Sequence, residues 1–150
     1  MGVFVQRERF DVAAAYRDLL SAHPGAAVVT FTGYVRDFGQ GGAVNALELE
    51  HYPGMAERVL YELGQSASSR FGLRGWQLIH RYGKLGTGEP IVWVGTVADH
   101  RTAAFDSCNF IMDVLKTDAP FWKREHSGGQ SHWVEANGDD AKRRRQWRGR

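Results

Sequence analysis

The chain has 150 residues, 43% of them hydrophobic and 24% charged, and a formal net charge of +2. That length fits one domain, which buries roughly two thirds of its unfolded surface, and no apolar run reaches the ~18 residues a membrane-crossing helix needs. One cysteine, Cys108, excludes an intrachain disulfide framework and a multi-cysteine metal site. The opening "MGVFVQRERFD" has no long apolar core of a signal peptide, and Gln6 stands where a myristoylation signal carries Ser or Thr. A cytoplasmic protein is the expectation.

Residues 11–22, "DVAAAYRDLLSA", carry a helical stripe of Val12, Ala15, Tyr16, Leu19 and Leu20, with Asp11 as N-cap and "HPGA" as the stop. Residues 26–36, "AAVVTFTGYVR", are β-branched and aromatic and read as a strand. A glycine-rich loop, "DFGQGG", follows, and 43–52, "AVNALELEHY", alternates as a strand with one wet face. The spacing predicts that these two strands form a hairpin.

Pro53-Gly54 ends that strand, and 55–71 reads as a helix with Ala56, Val59, Leu60, Leu63, Ala67 and Phe71 on one stripe. Residues 74–85 read as a strand. "GTGEP" turns the chain into 91–98, "IVWVGTVA", a strand apolar on both faces and therefore central in its sheet or at a subunit contact. The third helix, 101–118, has Ala104, Cys108, Ile111, Met112 and Leu115 on its buried side and Asp106, Asn109, Asp113 and Lys116 on its polar side. Pro120 closes it. "FWKREH" and "SHWVEA" read as two short strands around "SGGQ".

This order predicts an α+β fold, a single domain over 1–140 with a mostly antiparallel sheet and helices packed on it. Residues 141–150, "AKRRRQWRGR", hold six of the nineteen basic residues and are expected to be a flexible, solvated tail.

Four places combine polar chemistry with stiff backbone. Arg36 ends a strand beside the glycine-rich loop. Asp99-His100-Arg101 stands where a buried strand passes into a helix, a junction whose open N–H groups favour an anion. Lys116 ends that helix. Lys123, Arg124 and Glu125 follow the proline corner. Each has a plain structural reading: Arg36 is an ordinary strand-end arginine, Lys116 complements the helix dipole and has Asp113 three residues back, His100 caps a helix, and Lys123 guards a strand edge. Together they point to one cationic pocket for a phosphorylated small molecule. Arg36 and Arg101 would offer forked donors, and lysines among Met112, Phe121 and Trp122 would be partly desolvated. The six histidines show no zinc-motif spacing, and the glycine-rich loop lacks the Gly-Lys-Ser/Thr ending of a phosphate loop. No metal site is expected, and Cys108 reads as core.

Several stretches, "VVTFTGYVRD", "LELEHYPGM", "IHRYGKLGTGEPIVWVG", "ADHRTAAF" and "FIMDVLKTDAPFWKRE", resemble the large, catalytic subunit of molybdopterin synthase over about residues 26–135. The resemblance implies a sulfurtransferase of molybdenum cofactor biosynthesis. It converts cyclic pyranopterin monophosphate to molybdopterin by installing two dithiolene sulfurs. The sulfur arrives as a thiocarboxylate on the C-terminal Gly-Gly of a small ubiquitin-like subunit. Two large subunits form a central homodimer within a heterotetramer, with no protein-bound cofactor, no membrane and no nucleic acid involved. It places the essential lysines on Lys116 and Lys123 and the substrate contacts on Arg36, His100, Arg101, Arg124 and Glu125. Tyr34 departs from the lysine common at that position, and a phenol cannot replace a cation. A non-catalytic assembly module and an RNA-binding α+β domain using the basic tail are the alternatives.

Overall fold

The computed structural model describes residues 2–36, 38, 39, 42, 43, 46–118, 120–127, 130–133 and 138–148, with side chains placed at 2–36, 46–118, 120–124 and 139–148. Its elements in chain order are β1 (Gly2–Gln6), α1 (Val12–Ala22), β2 (Ala27–Tyr34), β3 (Phe38–Gly39), β4 (Gly42–Ala43), β5 (Ala46–His51), α2 (Met55–Phe71), β6 (Gly75–Arg81), β7 (Gly83–Gly86), β8 (Pro90–Ala98), α3 (Arg101–Asp118), β9 (Phe121–Ser127), β10 (Gln130–Trp133) and α4 (Gly138–Arg145). The expected α+β class is what forms. Asp37, Gln40 and Gly41 of the glycine-rich loop and Gly128 and Gly129 of "SGGQ" lie outside the described residues.

The strands make two four-stranded sheets, ordered β1-β6-β8-β2 and β10-β9-β5-β7. β8 is central in the first because its sequence is apolar on both faces. Trp93 and Val97 pack with Ala15 and Leu19 of α1 on one side. Val92 and Val94 pack with Leu60 of α2 and Ile111 and Leu115 of α3 on the other. Asp11 caps α1 as its position predicts, its carboxylate accepting from the Ala13 N–H at 2.9 Å and the Ala14 N–H at 3.3 Å. α3 runs back along β8: the Thr96 hydroxyl donates to the Ala104 carbonyl at 2.9 Å near the helix start. The other end of α3 therefore lies over the Pro90 end of β8.

Three expectations need correction. β2 and β5 do not form a hairpin: β2 pairs with β8 and β5 with β7 and β9, in separate sheets. Alternation tells which face of a strand is buried, not which strand lies beside it. The expected strand 74–85 is two strands, split where the chain passes from one sheet to the other. Gly83, at φ 88°, makes that passage in a backbone region open mainly to glycine.

The third correction is the basic tail, which folds as α4 and docks on α3. Trp147 is buried in the main core beside Phe110, and Asp113, expected on the polar side of α3, is buried beneath it. Apolar burial of one indole outweighs the solvation preference of its neighbours because their long side chains still reach water.

Gly64 in α2 lies directly under the fully buried Trp76, and a Cβ there would meet the indole ring. Alanine gains about 1 kcal/mol of helix propensity, but forcing a methyl into a filled core costs about 1–3 kcal/mol. With Trp76 unable to move outward, Gly64→Ala is expected to be net destabilising, seen as a lower urea midpoint with unchanged slope.

Candidate functional site

The proline corner places the two lysines together. Lys116 is exposed in the last turn of α3, and Pro120 turns the chain into β9. On β9, Lys123 sits opposite Leu49 of β5, and Phe121 opposite His51. Leu47 and Leu49 are buried, so by alternation Lys123 and Phe121 point to the inner face of this sheet.

His80, at the end of β6, is the meeting point. Its ring stacks on Phe121 with centroids 3.8 Å apart and planes 10° from parallel. Its Nδ1 lies 2.9 Å from the Arg81 carbonyl. A carbonyl only accepts, so Nδ1 carries the proton and Nε2 keeps its lone pair in the neutral ring. Burial pushes the imidazole down to about 4, with the positive charges of Lys123, Lys116 and His51 adding to the effect. Both lysines therefore act on one buried ring, and that ring stays neutral near pH 7 and adds no positive charge of its own. His51 joins this cluster, with its ring 4.1 Å from Tyr82 and 6.0 Å from Phe121.

Arg36 is exposed and reaches the same end of the molecule. Val35, before it, packs with Leu49, the strand partner of Lys123, and donates its N–H to the Glu89 carbonyl at 2.9 Å. Tyr34 is exposed beside a bulge in the β2–β8 ladder.

His100 and Arg101 do not join this group within one chain. They stand at the start of α3, and fifteen residues of helix at about 1.5 Å each separate Arg101 from Lys116 by about 22 Å. The His100 carbonyl accepts from the Ala104 N–H at 3.3 Å, opening the helix. Asp99 is exposed and paired with Arg74 at 2.7 Å. One chain alone does not build the cationic pocket expected from the sequence, since α3 is too long to bring both of its ends to it.

Arg124 is half-buried but lies opposite Glu48, on the face of β9 away from Lys123. Trp122, on that same face, is 45% exposed and packs edge-on to Tyr52 at 5.2 Å. It does not desolvate the lysines as expected; Phe121 alone of the two aromatics lies on their side. The backbone of Glu125 pairs with Leu47, and its side chain lies outside the described residues.

Cys108 is buried in α3, and burial pushes its thiol up to about 12. It is held as the thiol, consistent with a core role. A cavity of about 470 Å³ opens between α2, α3 and α4, and none of the sequence-predicted site residues lines it. No helix among the described residues is long and apolar enough to cross a membrane.

His80 and His51 are the residues that sequence reasoning missed. A lone histidine at the end of an apolar strand gives no local signal. Its ring partner stands forty-one residues further along, and only the register of β5 with β9 brings the histidines and lysines together.

The family model described as MoaE protein matches residues 5–118. The molybdopterin synthase catalytic subunit of Rhizobium meliloti (strain 1021) is 50% identical over 148 residues, covering 97% of this chain and 94% of that protein. Among solved structures, the molybdopterin cofactor biosynthesis protein E of Burkholderia multivorans ATCC 17616 superposes with a TM-score of 0.82 at 44% identity, covering 97% of this chain and 95% of that one. One chain of the complex of subunits 1 and 2 of molybdopterin-converting factor from Helicobacter pylori 26695 shares the fold, with a TM-score of 0.74 at 17% identity over 89% of this chain and 90% of that one. With the strand order, the lysine corner and a family match over most of its length, this chain belongs to the MoaE protein family.

Proposed function

We propose that this protein is the catalytic subunit of a molybdopterin synthase. It converts cyclic pyranopterin monophosphate to molybdopterin with sulfur from the C-terminal thiocarboxylate of a small ubiquitin-like subunit, in the cytoplasm. The observation that carries the reading is the convergence of Lys116 and Lys123 on the neutral His80.

The chemistry needs positive charge at two moments. A thiocarboxylate is an anion that must be drawn in and oriented, and opening a cyclic phosphate leaves charge on the departing oxygen. Lys116, exposed at the rim, meets the terminal carbonyl of the carrier's tail. Lys123, on the inner face of β9, neutralises charge on the pterin intermediate. Arg36, at the same end of the molecule, binds the phosphate with its forked donors.

His100 and Arg101 serve the same reaction from a second copy of the chain. A homodimer that sets the start of one α3 against the lysine corner of its partner supplies what one chain's geometry withholds. The heterotetramer then has one small subunit at each lysine corner. The curated relative's name, a catalytic subunit, and the two-subunit complex from H. pylori support a separate small partner subunit. Arg124 and Glu125 are further contacts for the reactants. An RNA-binding role loses support because Arg143 and Arg144 of the basic run are paired with Asp113 and Asp118.

The test is reconstitution. The purified protein, mixed with a thiocarboxylated ubiquitin-like carrier and the cyclic pterin, is expected to yield the dithiolene product. A carrier ending in an ordinary carboxylate yields none. Failure to consume the thiocarboxylate in the complete mixture would refute the assignment.

A further inference from the structure

Asp113 lies one turn before Lys116 on α3. Residues three apart on a helix have Cβ atoms about 5–6 Å apart, close enough for this carboxylate to pair with the lysine. It does not. Asp113 is 6% exposed, and among the described residues its carboxylate is held from the α4 segment. Oδ1 accepts from Arg143 Nε–H at 3.0 Å, and Oδ2 accepts from the Gln146 amide at 3.1 Å and from Trp147 Nε1–H at 2.8 Å.

Trp147 is fixed in turn, edge-on to Phe71 at 5.8 Å and to Phe110 at 5.7 Å, with its carbonyl accepting from Arg70 at 2.6 Å. Asp118, two residues beyond Lys116, is taken by Arg144 at 2.6 Å. Both carboxylates flanking Lys116 are thus held by α4. Among the described residues Lys116 has no ion-pair partner.

We propose that α4 is a clasp that withholds Asp113 from Lys116, with Trp147 as its positioning residue, so that the Lys116 ammonium stays available to an anionic reactant. The use made of Lys116 rests on the function proposed above; the withholding of Asp113 does not. A buried carboxylate oxygen stripped of a donor seeks another, and Lys116, one turn away, is within reach. Losing the Trp147 N–H therefore turns Asp113 toward the lysine.

The test uses the full chain in complex with its thiocarboxylated carrier. Trp147→Phe keeps an aromatic ring against Phe71 and Phe110 but removes the N–H. Two readouts are followed: turnover, and the rate at which an amine-reactive ester acylates Lys116, measured by peptide mass spectrometry. An exposed ion pair is weak, so both are expected to fall only about two- to fivefold, with the KM for the carrier unchanged. Adding Asp113→Asn is expected to restore both, because a neutral amide does not pair with an ammonium. A clasp that merely braces the fold predicts the opposite, since the second change loosens α4 further. Unchanged acylation of Lys116 in Trp147→Phe, or a double variant no better than the single one, overturns the proposal. Lys116→Ala is assayed alongside: full turnover there would refute the catalytic use of Lys116, while the acylation rates still decide the clasp.

Discussion

Two chains that are each inactive, one carrying Lys116→Ala and the other Arg101→Ala, are expected to make dithiolene product when mixed. Alone, the lysine variant loses a group that aligns and protonates reacting atoms, an effect of about 10²–10⁴-fold. The arginine variant loses a forked phosphate contact and falls comparably. Within one chain the two positions are about 22 Å apart along α3, so one ligand cannot use both from the same copy. In a mixed twofold dimer, one site inherits both defects and the other inherits neither. Equal amounts of the two chains, allowed to exchange, should show about a quarter of wild-type activity by random pairing. Product release assayed before and after subunit exchange checks this. Continued inactivity after verified exchange would mean that Arg101 does not act across the dimer on its partner's lysine corner. Lys123→Ala should behave as Lys116→Ala does, complementing Arg101→Ala but not Lys116→Ala.

The second large effect is on stability in acid. His80 titrates at about 4 in the folded chain against 6.5 for the free side chain, because the buried ring loses its hydration when charged. The unfolded chain therefore binds the proton first. Stability is fully present above 6.5, falls as pH drops below that value, and stops falling on this account near 4. At ~1.36 kcal/mol per unit, the loss is about 3 kcal/mol. Lys116, Lys123 and His51 are the charged and titratable groups that act on the ring, and none of them relieves the loss. His80→Phe keeps a flat ring against Phe121 and removes the proton. Urea unfolding at several pH values is expected to show a slope for the wild type between 6.5 and 4 that is much reduced in the variant. Parallel slopes would mean that the imidazole is hydrated in the folded state.

The helices were legible because their signals are local. The stripe over 55–71 coincides with α2, and Asp11 caps α1 through its own carboxylate. The central place of β8 was legible for the same reason: only a strand buried on both faces is apolar at consecutive positions. Pairing was not legible, since β2 and β5 each carry a good alternating pattern and nothing in either pattern names a neighbour. In the basic run, six charges masked Trp147, the residue that decides where the run goes. The lysine pair was readable because Pro120 forces a corner between Lys116 and Lys123. Its buried histidine was not, because the stack on Phe121 arises from the meeting of two sheets.

The parallel pairing of β1 with β6 bears on how the chain reaches this state. The first strand made waits for partners at Gly75–Arg81, and those wait for β8 at Pro90–Ala98 to close the sheet. Contacts this distant in sequence slow the search for the native state. During synthesis Phe4 stays unmatched until β6 has left the ribosome, and Val28 and Phe31 until β8 has followed it. That interval is when chaperones would find the nascent protein.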